Sequence, residues 1–245
     1  MPQEFNSFGQ PVGASLSGWT ERPFPPPTPL RGRTCSLEPL DAERHAANLY
    51  AAYAEAPDGR DWTYMFVGPF TRASDYIEHV RNEAAKRDPQ HHAIVDAATG
   101  KPVGTAALMR IDSTHGVIEV GHIAYSPRLK RSRAGTEAMF LLMIRVFDEL
   151  KYRRYEWKCD SLNAPSRRAA MRYGFAYEGT FRQAVIYKGR NRDTAWYAMT
   201  DRDWPLVRAA FERWLAPENF DPDGGQRRSL SDIRSDLVLS ERFKA

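Results

Sequence analysis

The segment AGTEAMFLLMIRVFDEL, residues 134–150, constrains the fold of this chain more than any other. Its apolar residues recur at the i, i+3, i+4, i+7, i+8 and i+11 positions of one helical face, at Met139, Leu142, Met143, Val146, Phe147 and Leu150. This wide apolar face predicts a helix packed deeply against a sheet. The flanking segments GVIEVGHIAYS and RYEWKCD read as strands, the second with strict alternation. The pattern therefore predicts a strand–helix–strand unit.

Positive charge is concentrated just before this helix. Arg128, Lys130, Arg131 and Arg133 lie within six residues, and Gly135 follows. A helix N-terminus presents unpaired N–H groups and the positive end of the helix dipole, so anions bind there readily. Gly135 would let the chain approach a ligand closely, and a diphosphate is the expected ligand. The alternative is a solvated basic loop before a core helix.

The rest of the chain predicts strands and helices in the order β-α-α-β-β-β-α-β-α-β-β-α. The first strand is expected at 31–37, a helix capped by Asp41 follows it, and a second helix is expected at 72–87. A run of antiparallel strands before a β-α-β step indicates an α/β (α+β) protein. Its sheet should be mixed, mostly antiparallel and twisted, with helices on both faces.

The ends of the chain differ from this central part. Residues 1–30 contain ERPFPPPTPL, which favours extended backbone and excludes a helix. We interpret 1–30 as a proline-rich arm lying across the body or a partner, 31–216 as the folded domain, and 217–245 as a polar C-terminal tail.

Composition excludes several classes of protein. No apolar run approaches the roughly 20 residues that a membrane span needs, and MPQEFNSFGQ lacks the regions of a secretory signal. Two cysteines do not make a disulfide framework. We therefore expect a cytoplasmic protein with no membrane partner, and a homodimer is compatible with the sequence. The net charge of +4 is spread along the chain, which argues against a nucleic-acid partner.

Four segments in this order resemble the Gcn5-related N-acetyltransferase (GNAT) superfamily: VIEVGHIAYSP, the basic turn, AGTEAMFLLM and NAPSRRAAMRYGF. More narrowly, they resemble the group of bacterial ribosomal-protein alanine acetyltransferases. The resemblance covers about residues 31–200. The family's phosphate loop, Gln/Arg-x-x-Gly-x-Gly/Ala, falls on Lys130, Arg133 and Gly135, so this chain departs from the pattern at the first two positions.

The resemblance implies a GNAT-like fold and an acetyl-CoA-dependent N-acetyltransferase without a metal. The acceptor would be a protein N-terminal α-amine or a small-molecule amine. The diphosphate of acetyl-CoA would lie on the backbone of Lys130, Arg131, Ser132, Arg133, Ala134, Gly135 and Thr136. Arg128 and Arg168 would add contacts to its phosphates.

The same resemblance implies the site of the reacting arm of acetyl-CoA. The pantetheine would pair with Ile123, Ala124 and Tyr125, next to the irregularity expected at Gly121. A backbone N–H there would hold the thioester carbonyl as an oxyanion-hole donor does. Asn163 would bond the pantetheine or orient the loop, or else cap a helix, and Ser166 would contact the thiol.

Acetyl transfer needs a neutral amine, so a base is expected. Glu119 is the preferred base, directly or through a water, although an ion-paired strand carboxylate is the alternative. His122 is the second candidate because its ordinary pKa is near 6.5, and a structural imidazole is its alternative. Ser166 is the candidate acid, or else a helix cap. Adjacent His91 and His92 should point to opposite faces of a strand, so they should not share a metal.

The acceptor pocket is expected between the aromatic segment at 62–70 and the hairpin that follows residue 175. Its candidate residues are Trp62, Tyr64, Phe66, Phe70, Arg182, Tyr187 and Trp196. Asp193 is expected to hold the hairpin. Two other functions stay open at this point: a ribosome- or RNA-binding protein that uses the charges at 128–133 and 167–168, and a non-catalytic CoA-binding interaction module.

Overall fold

The computed structural model describes residues 3–242. Its strands are β1 (Glu4–Phe5), β2 (Pro11–Val12), β3 (Leu30–Arg31), β4 (Cys35–Pro39), β5 (Gln90–Asp96), β6 (Pro102–Asp112), β7 (Val117–Tyr125), β8 (Arg154–Asp160), β9 (Ala176–Tyr187) and β10 (Arg190–Thr200). Its helices are α1 (Ala47–Ala54), α2 (Ala73–Ala84), α3 (Arg133–Met143), α4 (Ala164–Tyr173), α5 (Trp204–Leu215) and α6 (Leu230–Arg242). Wider π-helical turns precede α1 at Ala42–Ala46 and extend α3 over Ile144–Glu149.

Strands β3 to β10 form one sheet in the order β3-β4-β5-β6-β7-β8-β10-β9. Neighbouring strands run antiparallel except β7 and β8, which are parallel and joined by α3. The predicted mixed, mostly antiparallel sheet is confirmed, and so is the predicted order of its elements from β4 to α5. The single parallel pair follows from the long apolar helix, which must cross over the sheet between two strands.

Helices cover both faces of the sheet, over two separate apolar cores. Leu49 of α1 and Tyr76 and Val80 of α2 pack on one face. On the other face, α3 and α5 share the larger core, in which Leu142 and Phe147 are buried. The predicted apolar face of α3 is therefore confirmed. Asp41 also caps the first helical turn as predicted, since its Oδ1 accepts from the Arg44 N–H at 2.8 Å.

The structure corrects the sequence prediction at both ends of the domain. The predicted strand at 31–37 is two short strands, β3 and β4, because the chain turns between them at Gly32, whose N–H donates to the Cys35 carbonyl at 2.8 Å. The described part of the predicted polar tail at 217–245 holds α6. Leu230 and Ile233 pack this helix against the larger core. The sequence did not reveal this helix, because the segment is charged and contains few apolar residues.

The proline-rich arm lies across the body of the domain. The carbonyl of Pro25 accepts from Gln90 Nε2 at 3.0 Å, and that of Pro26 accepts from Arg145 Nη1 at 3.1 Å. The division into arm, domain and tail stays a prediction. Within residues 3–242, no helix has the length and apolar character needed to cross a membrane.

The adjacent histidines of β5 point to opposite faces of the sheet, as predicted. His91 meets Glu83 of α2, with 3.0 Å between Nε2 and Oε2. His92 is 1% exposed and lies on the opposite side, near Arg145. Burial, with help from Arg145 and His91, lowers the pKa of His92 to about 4.

We expect the domain to lose stability as the pH falls from about 6.5 to about 4, in part through His92. In this window the unfolded chain binds a proton at this position and the folded chain does not, so protonation favours unfolding. A pKa lowered to about 4 corresponds to about 3 kcal/mol across the window. Urea unfolding at about pH 7 and about pH 4.5 should show a smaller loss for His92→Gln than for the wild type. Equal losses would contradict this assignment.

Candidate active site

The parallel strands β7 and β8 separate at the centre of the sheet. They are paired only from Val117 to Val120, against Arg154 to Trp157, although β7 continues to Tyr125 and β8 to Asp160. The backbone of β7 from Gly121 onward therefore faces a gap. A cavity of about 1280 Å³ opens there, lined by both strands and by the start of α3.

A bulge distorts β7 at the mouth of this gap. Gly121 pairs with Ala107 and Ala124 pairs with Thr105, so one residue of β6 faces two of β7. His122 takes the left-handed conformation, with φ of 49°. A Cβ on Gly121 would lie 2.4 Å from Met109 Sδ. The irregularity predicted beside Gly121 is thus present, and it lies at the cavity wall.

The N-terminus of α3 opens into the same cavity. Ser132 caps the helix, because its Oγ accepts from the Gly135 N–H at 2.9 Å. The N–H groups of Arg133 and Ala134 have no acceptor within residues 3–242. Gly135 is required by close packing, since a Cβ there would lie 2.7 Å from the Leu129 carbonyl oxygen. This arrangement has the free donors and the dipole that an anion needs.

The basic residues before α3 have different partners. Arg128 is paired with Glu55, with 2.7 Å between Nε and Oε2, and does not line the cavity. Lys130 is paired with Asp61. The guanidinium of Arg133 lies 3.5 Å from the centre of the Phe220 ring and leaves the helix start open. Of the residues predicted to hold the diphosphate, the cavity is lined by Lys130, Arg131, Ser132, Arg133, Gly135 and Thr136.

Glu119 lines the cavity just before β7 and β8 separate, and it is 5% exposed. Its Oε2 lies 2.7 Å from Lys158 Nζ and 3.4 Å from Arg110 Nε. Lys158 is shared with Glu156, also at 2.7 Å. Burial raises the pKa of Glu119, and the nearby Lys158 opposes that change. The carboxylate is therefore ion-paired and borders the cavity.

His122 belongs to a cluster on the same face of the sheet. Its ring centre lies 4.9 Å from that of His91, and burial lowers its pKa, so the imidazole is neutral near pH 7. Potential ligand atoms of Glu83, His91 and His122 lie within 4.8 Å of one another, a spacing that could hold a metal ion. The other oxygen of Glu83 is taken by Lys86 Nζ at 2.7 Å. Sequence patterns did not reveal this cluster, because its members lie on α2, β5 and β7.

Ser166 and Asn163 reach the cavity from the opposite face. Asn163 caps α4, as its Oδ1 accepts from the Ser166 N–H at 3.1 Å. Ser166 is therefore not the cap. Its Oγ accepts from Trp157 Nε1 at 3.0 Å, and its hydroxyl also lies within hydrogen-bonding reach of the Cys159 thiol. Arg168 also lines the cavity.

The aromatic segment and the β9–β10 hairpin meet as predicted. The Phe66 and Tyr187 rings are 5.5 Å apart, and Lys188 Nζ donates to the Trp62 carbonyl at 2.7 Å. Asp193 holds the hairpin, since its Oδ1 accepts from the Gln183 N–H at 2.8 Å. Of the predicted acceptor residues, those that line the cavity are Trp62, Tyr64, Phe66 and Trp196.

The other three predicted acceptor residues lie outside the cavity wall. Phe70 packs in the smaller core with Trp62. Arg182 lines a separate shallow recess with Gln183, Asn191 and Asp193. The Tyr187 hydroxyl donates to Asp160 Oδ2 at 2.9 Å. Aromatic content alone could not separate core side chains from cavity side chains.

Sequence reasoning missed several residues of the cavity wall. Lys158, Asp160, Arg192 and Thr194 come from β8 and β10. Strand alternation in RYEWKCD and NRDTAW was the available signal, but it does not show which face borders a gap. Trp214, Phe220 and Gln226 add to the wall from the segment that was assigned to the end of the domain and the tail.

Comparison with known proteins places this geometry in a family. Residues 35–176 match the model of the acetyltransferase (GNAT) domain. The crystal structure of a GCN5-related N-acetyltransferase from Brucella melitensis is 45% identical and has a TM-score of 0.88, covering 90% of this chain and 100% of that one. An uncharacterized N-acetyltransferase, p20, of Bacillus licheniformis is 27% identical over 148 residues, which are 58% of this chain and 80% of p20.

The fold is also shared with an enzyme of the ribosomal-protein group. The structure of a Salmonella typhimurium acetyltransferase, which modifies the N-terminal serine of the 50S subunit protein L7/L12, is 18% identical with a TM-score of 0.58. The match covers 70% of this chain and 98% of that chain. At this identity the likeness concerns the fold alone.

Proposed function

This chain belongs to the GNAT family of N-acetyltransferases, and we propose that it transfers the acetyl group of acetyl-CoA to a primary amine. One observation supports acetyl-CoA most directly: the gap between β7 and β8 and the open N-terminus of α3 lead into one cavity. Beyond Val120 the described backbone of β7 is not paired with β8, which suits an extended pantetheine arm. The helix start presents free N–H donors, which suit a diphosphate.

The residues proposed to bind the thiol and those proposed to bind the amine lie on opposite faces of the sheet. Acetyl-CoA supplies an activated acyl group as a thioester. The backbone of Ile123, Ala124 and Tyr125 would orient the arm, and an N–H at the bulge would stabilise the oxyanion. Asn163 and Ser166 lie on the face of α4, where the thiol would leave. Glu119 and His122 lie on the opposite face, where the amine would enter.

The movement of protons in the reaction suggests a role for a residue on each face of the sheet. The amine nitrogen forms a bond to the acyl carbon, the carbon–sulfur bond breaks, and the amine loses one proton. Glu119 takes this proton, directly or through water, and a raised pKa suits that task. Ser166 would stabilise the leaving thiolate by donating a hydrogen bond through a hydroxyl that Trp157 holds in place, and the proton on Glu119 then passes to solvent or to the thiolate. His122, neutral near pH 7, is the other base on the acceptor face.

The acceptor is either a protein N-terminal α-amine or a small-molecule amine. An α-amino group has an ordinary pKa of about 7.7–8.0, so it is partly neutral at pH 7. A lysine amine, near 10.4, needs the base much more. The Salmonella enzyme that modifies an N-terminal serine has this fold, which supports testing protein N-termini. The cytoplasmic location and a homodimer stay predictions.

We expect acetyl-CoA to raise the thermal unfolding temperature of the protein. A one-site ligand at about 100 times its Kd adds about 2.7 kcal/mol to the free energy of unfolding. Arg131→Glu places a negative charge beside the helix start, so its shift should be smaller. Arg202→Glu, an exposed change outside the cavity wall, should leave the shift unchanged.

No shift at saturating acetyl-CoA in the wild type would overturn the proposal. An equal shift in Arg131→Glu would remove only the assigned position of the diphosphate. Mass spectrometry of products from a panel of peptides and small amines then identifies the acceptor.

A further inference from the structure

One face of β10 carries three buried polar atoms that have no hydrogen-bond partner within residues 3–242. They are Arg192 Nε, Thr194 Oγ1 and Trp196 Nε1. Alternate residues of a strand point to the same face, and all three residues line the cavity. Buried polar groups are nearly always paired in folded proteins. Three unpaired groups in a row therefore indicate a surface that contacts a ligand.

Arg192 is the strongest of the three signals. It is 7% exposed, and its side chain forms no ion pair and donates no hydrogen bond in the part of the chain that the structure describes. Its guanidinium instead lies against two aromatic rings, 5.1 Å from the centre of Phe66 and 5.9 Å from that of Tyr187. A buried cation without an anionic partner is costly, so this position calls for an anion.

Asp160, an acid of the neighbouring strand β8 that also lines the cavity, does not serve as that partner. Asp160 Oδ2 accepts from the Tyr187 hydroxyl at 2.9 Å, and its Oδ1 accepts from the Leu162 N–H at 2.8 Å. Asp160 and Arg192 form no ion pair within 4.0 Å in the described chain. The two groups are therefore held apart by contacts that Asp160 makes with its own neighbours.

Arg192 lies on the acceptor face of the sheet, away from the diphosphate position. Trp157 points toward α4, since its Nε1 donates to Ser166. The next residue, Lys158, points the other way, and its Nζ lies 3.9 Å from the centre of the Trp196 ring. Trp196 and Arg192 share a face, so both belong to the side on which Glu119 lies.

We propose that the acceptor carries a carboxylate together with its amine, and that Arg192 binds this carboxylate. This inference rests on the proposed function and specifies its substrate class. A guanidinium offers a planar fork of donors that matches a carboxylate. Trp196 pairs with Lys158 in the sheet, so β10 leads from Glu119 toward Arg192. The amine binds near Glu119, and Thr194 and Trp196 supply neutral donors to the atoms between the two ends.

Strand geometry favours a carboxylate separated from the amine by several bonds. Four residues at about 3.3 Å each put the Cα atoms of Arg192 and Trp196 about 13 Å apart, and the arginine side chain shortens the remaining span. Such a carboxylate has two sources: a free amino acid with an acidic side chain, or an acidic residue at the N-terminus of a peptide. Both present the same chemistry to Arg192.

The test compares matched carboxylates and carboxamides. The free pair is glutamate and glutamine, and the peptide pair starts with glutamate or glutamine and ends in an amide. Binding of each to the CoA-saturated protein is measured by calorimetry, and kcat/KM is measured with acetyl-CoA. The variants are Arg192→Gln, Thr194→Val and the control Arg190→Gln, which changes an exposed arginine two residues away.

We expect the wild type to prefer one carboxylate over its carboxamide by at least about tenfold, equal to about 1.4 kcal/mol. The preference should fall to about one in Arg192→Gln and weaken several-fold in Thr194→Val. It should be unchanged in Arg190→Gln. A preference within the free amino acid pair identifies an amino acid as the acceptor, and a preference within the peptide pair identifies a peptide N-terminus. If circular dichroism shows that Arg192→Gln does not fold, the inference is judged from two results: the carboxylate preference of the wild type and its weakening in Thr194→Val.

Two results would overturn the inference: equal use of carboxylates and carboxamides by the wild type, or a preference that survives in Arg192→Gln. Acetylation of neutral amines alone would reject the carboxylate site and keep the proposed function. Binding of a carboxylate through Arg192 without acetylation of any acceptor would support the anion site and reject the proposed function.

Discussion

Glu119→Gln should lower kcat by about 10²–10³-fold, while the affinity for acetyl-CoA stays within about twofold. The amide keeps the size of the side chain but cannot accept the proton that the attacking amine loses. Burial raises the pKa of the wild-type carboxyl, so it is a stronger base than an exposed glutamate. Stopped-flow or steady-state assays with a saturating acceptor measure the loss, and calorimetry with acetyl-CoA measures binding.

A matched control separates the loss of a base from the loss of an ion pair. Glu156→Gln also removes a carboxylate from Lys158 Nζ, but Glu156 does not line the cavity. It should therefore retain most of the activity. In the wild type, kcat/KM should rise with pH through the pKa of the base, and Glu119→Gln should flatten that rise. Normal turnover in Glu119→Gln, with a large loss in His122→Gln, would transfer the role to His122.

Glu137→Ala should destabilise the domain by about 4 kcal/mol, a large effect for a single substitution. Glu137 lies on α3, is buried, and joins that helix to the turn between β3 and β4. Its Oε1 accepts from the Arg33 N–H at 2.9 Å, and its Oε2 accepts from the Thr34 N–H at 2.6 Å and the Thr34 hydroxyl at 2.5 Å. Truncation removes the acceptor from these partly buried donors, at about 1–3 kcal/mol for each.

Urea unfolding of Glu137→Ala measures this effect, with Glu43→Ala as its control. Glu43 pairs with Arg81 on the exposed surface, so its removal should change the free energy of unfolding by less than about 1 kcal/mol. A small effect for Glu137→Ala would mean that water replaces the carboxylate at the turn. Because α3 starts at the proposed diphosphate position, a destabilised variant should also bind acetyl-CoA more weakly.

The prediction from sequence was most successful where the signal is local. The apolar positions of α3 recur along one segment, and the cap at Asp41 lies three residues before the N–H that it accepts. The strand on each side of α3 then requires a crossover, which accounts for the parallel β7–β8 pair. The same local order carried the resemblance to the family, and the family was confirmed.

The sequence does not reveal the ion-pair partners of charged side chains, because those partners lie far away in the chain. Arg128 and Lys130 are each paired with an acid more than 60 residues earlier, Glu55 and Asp61, and their contacts with the phosphates stay a prediction. The described part of the segment assigned to a polar tail holds α6, because burial of Leu230 and Ile233 is enough to fix it on the core. The individual catalytic and binding roles stay predictions until the variants are measured.

Hydrophobic spacing and helix signals along the chain thus specified the elements, their order and the family, because these depend on neighbours within a few residues. Folding alone decided which side chains border the cavity. The gap between β7 and β8 exposes one face of β10, and the cluster of Glu83, His91 and His122 forms from three separate elements. The buried Arg192 side chain, which has no anionic partner among residues 3–242, could be found only in the folded molecule, since burial and pairing are properties of the packed structure.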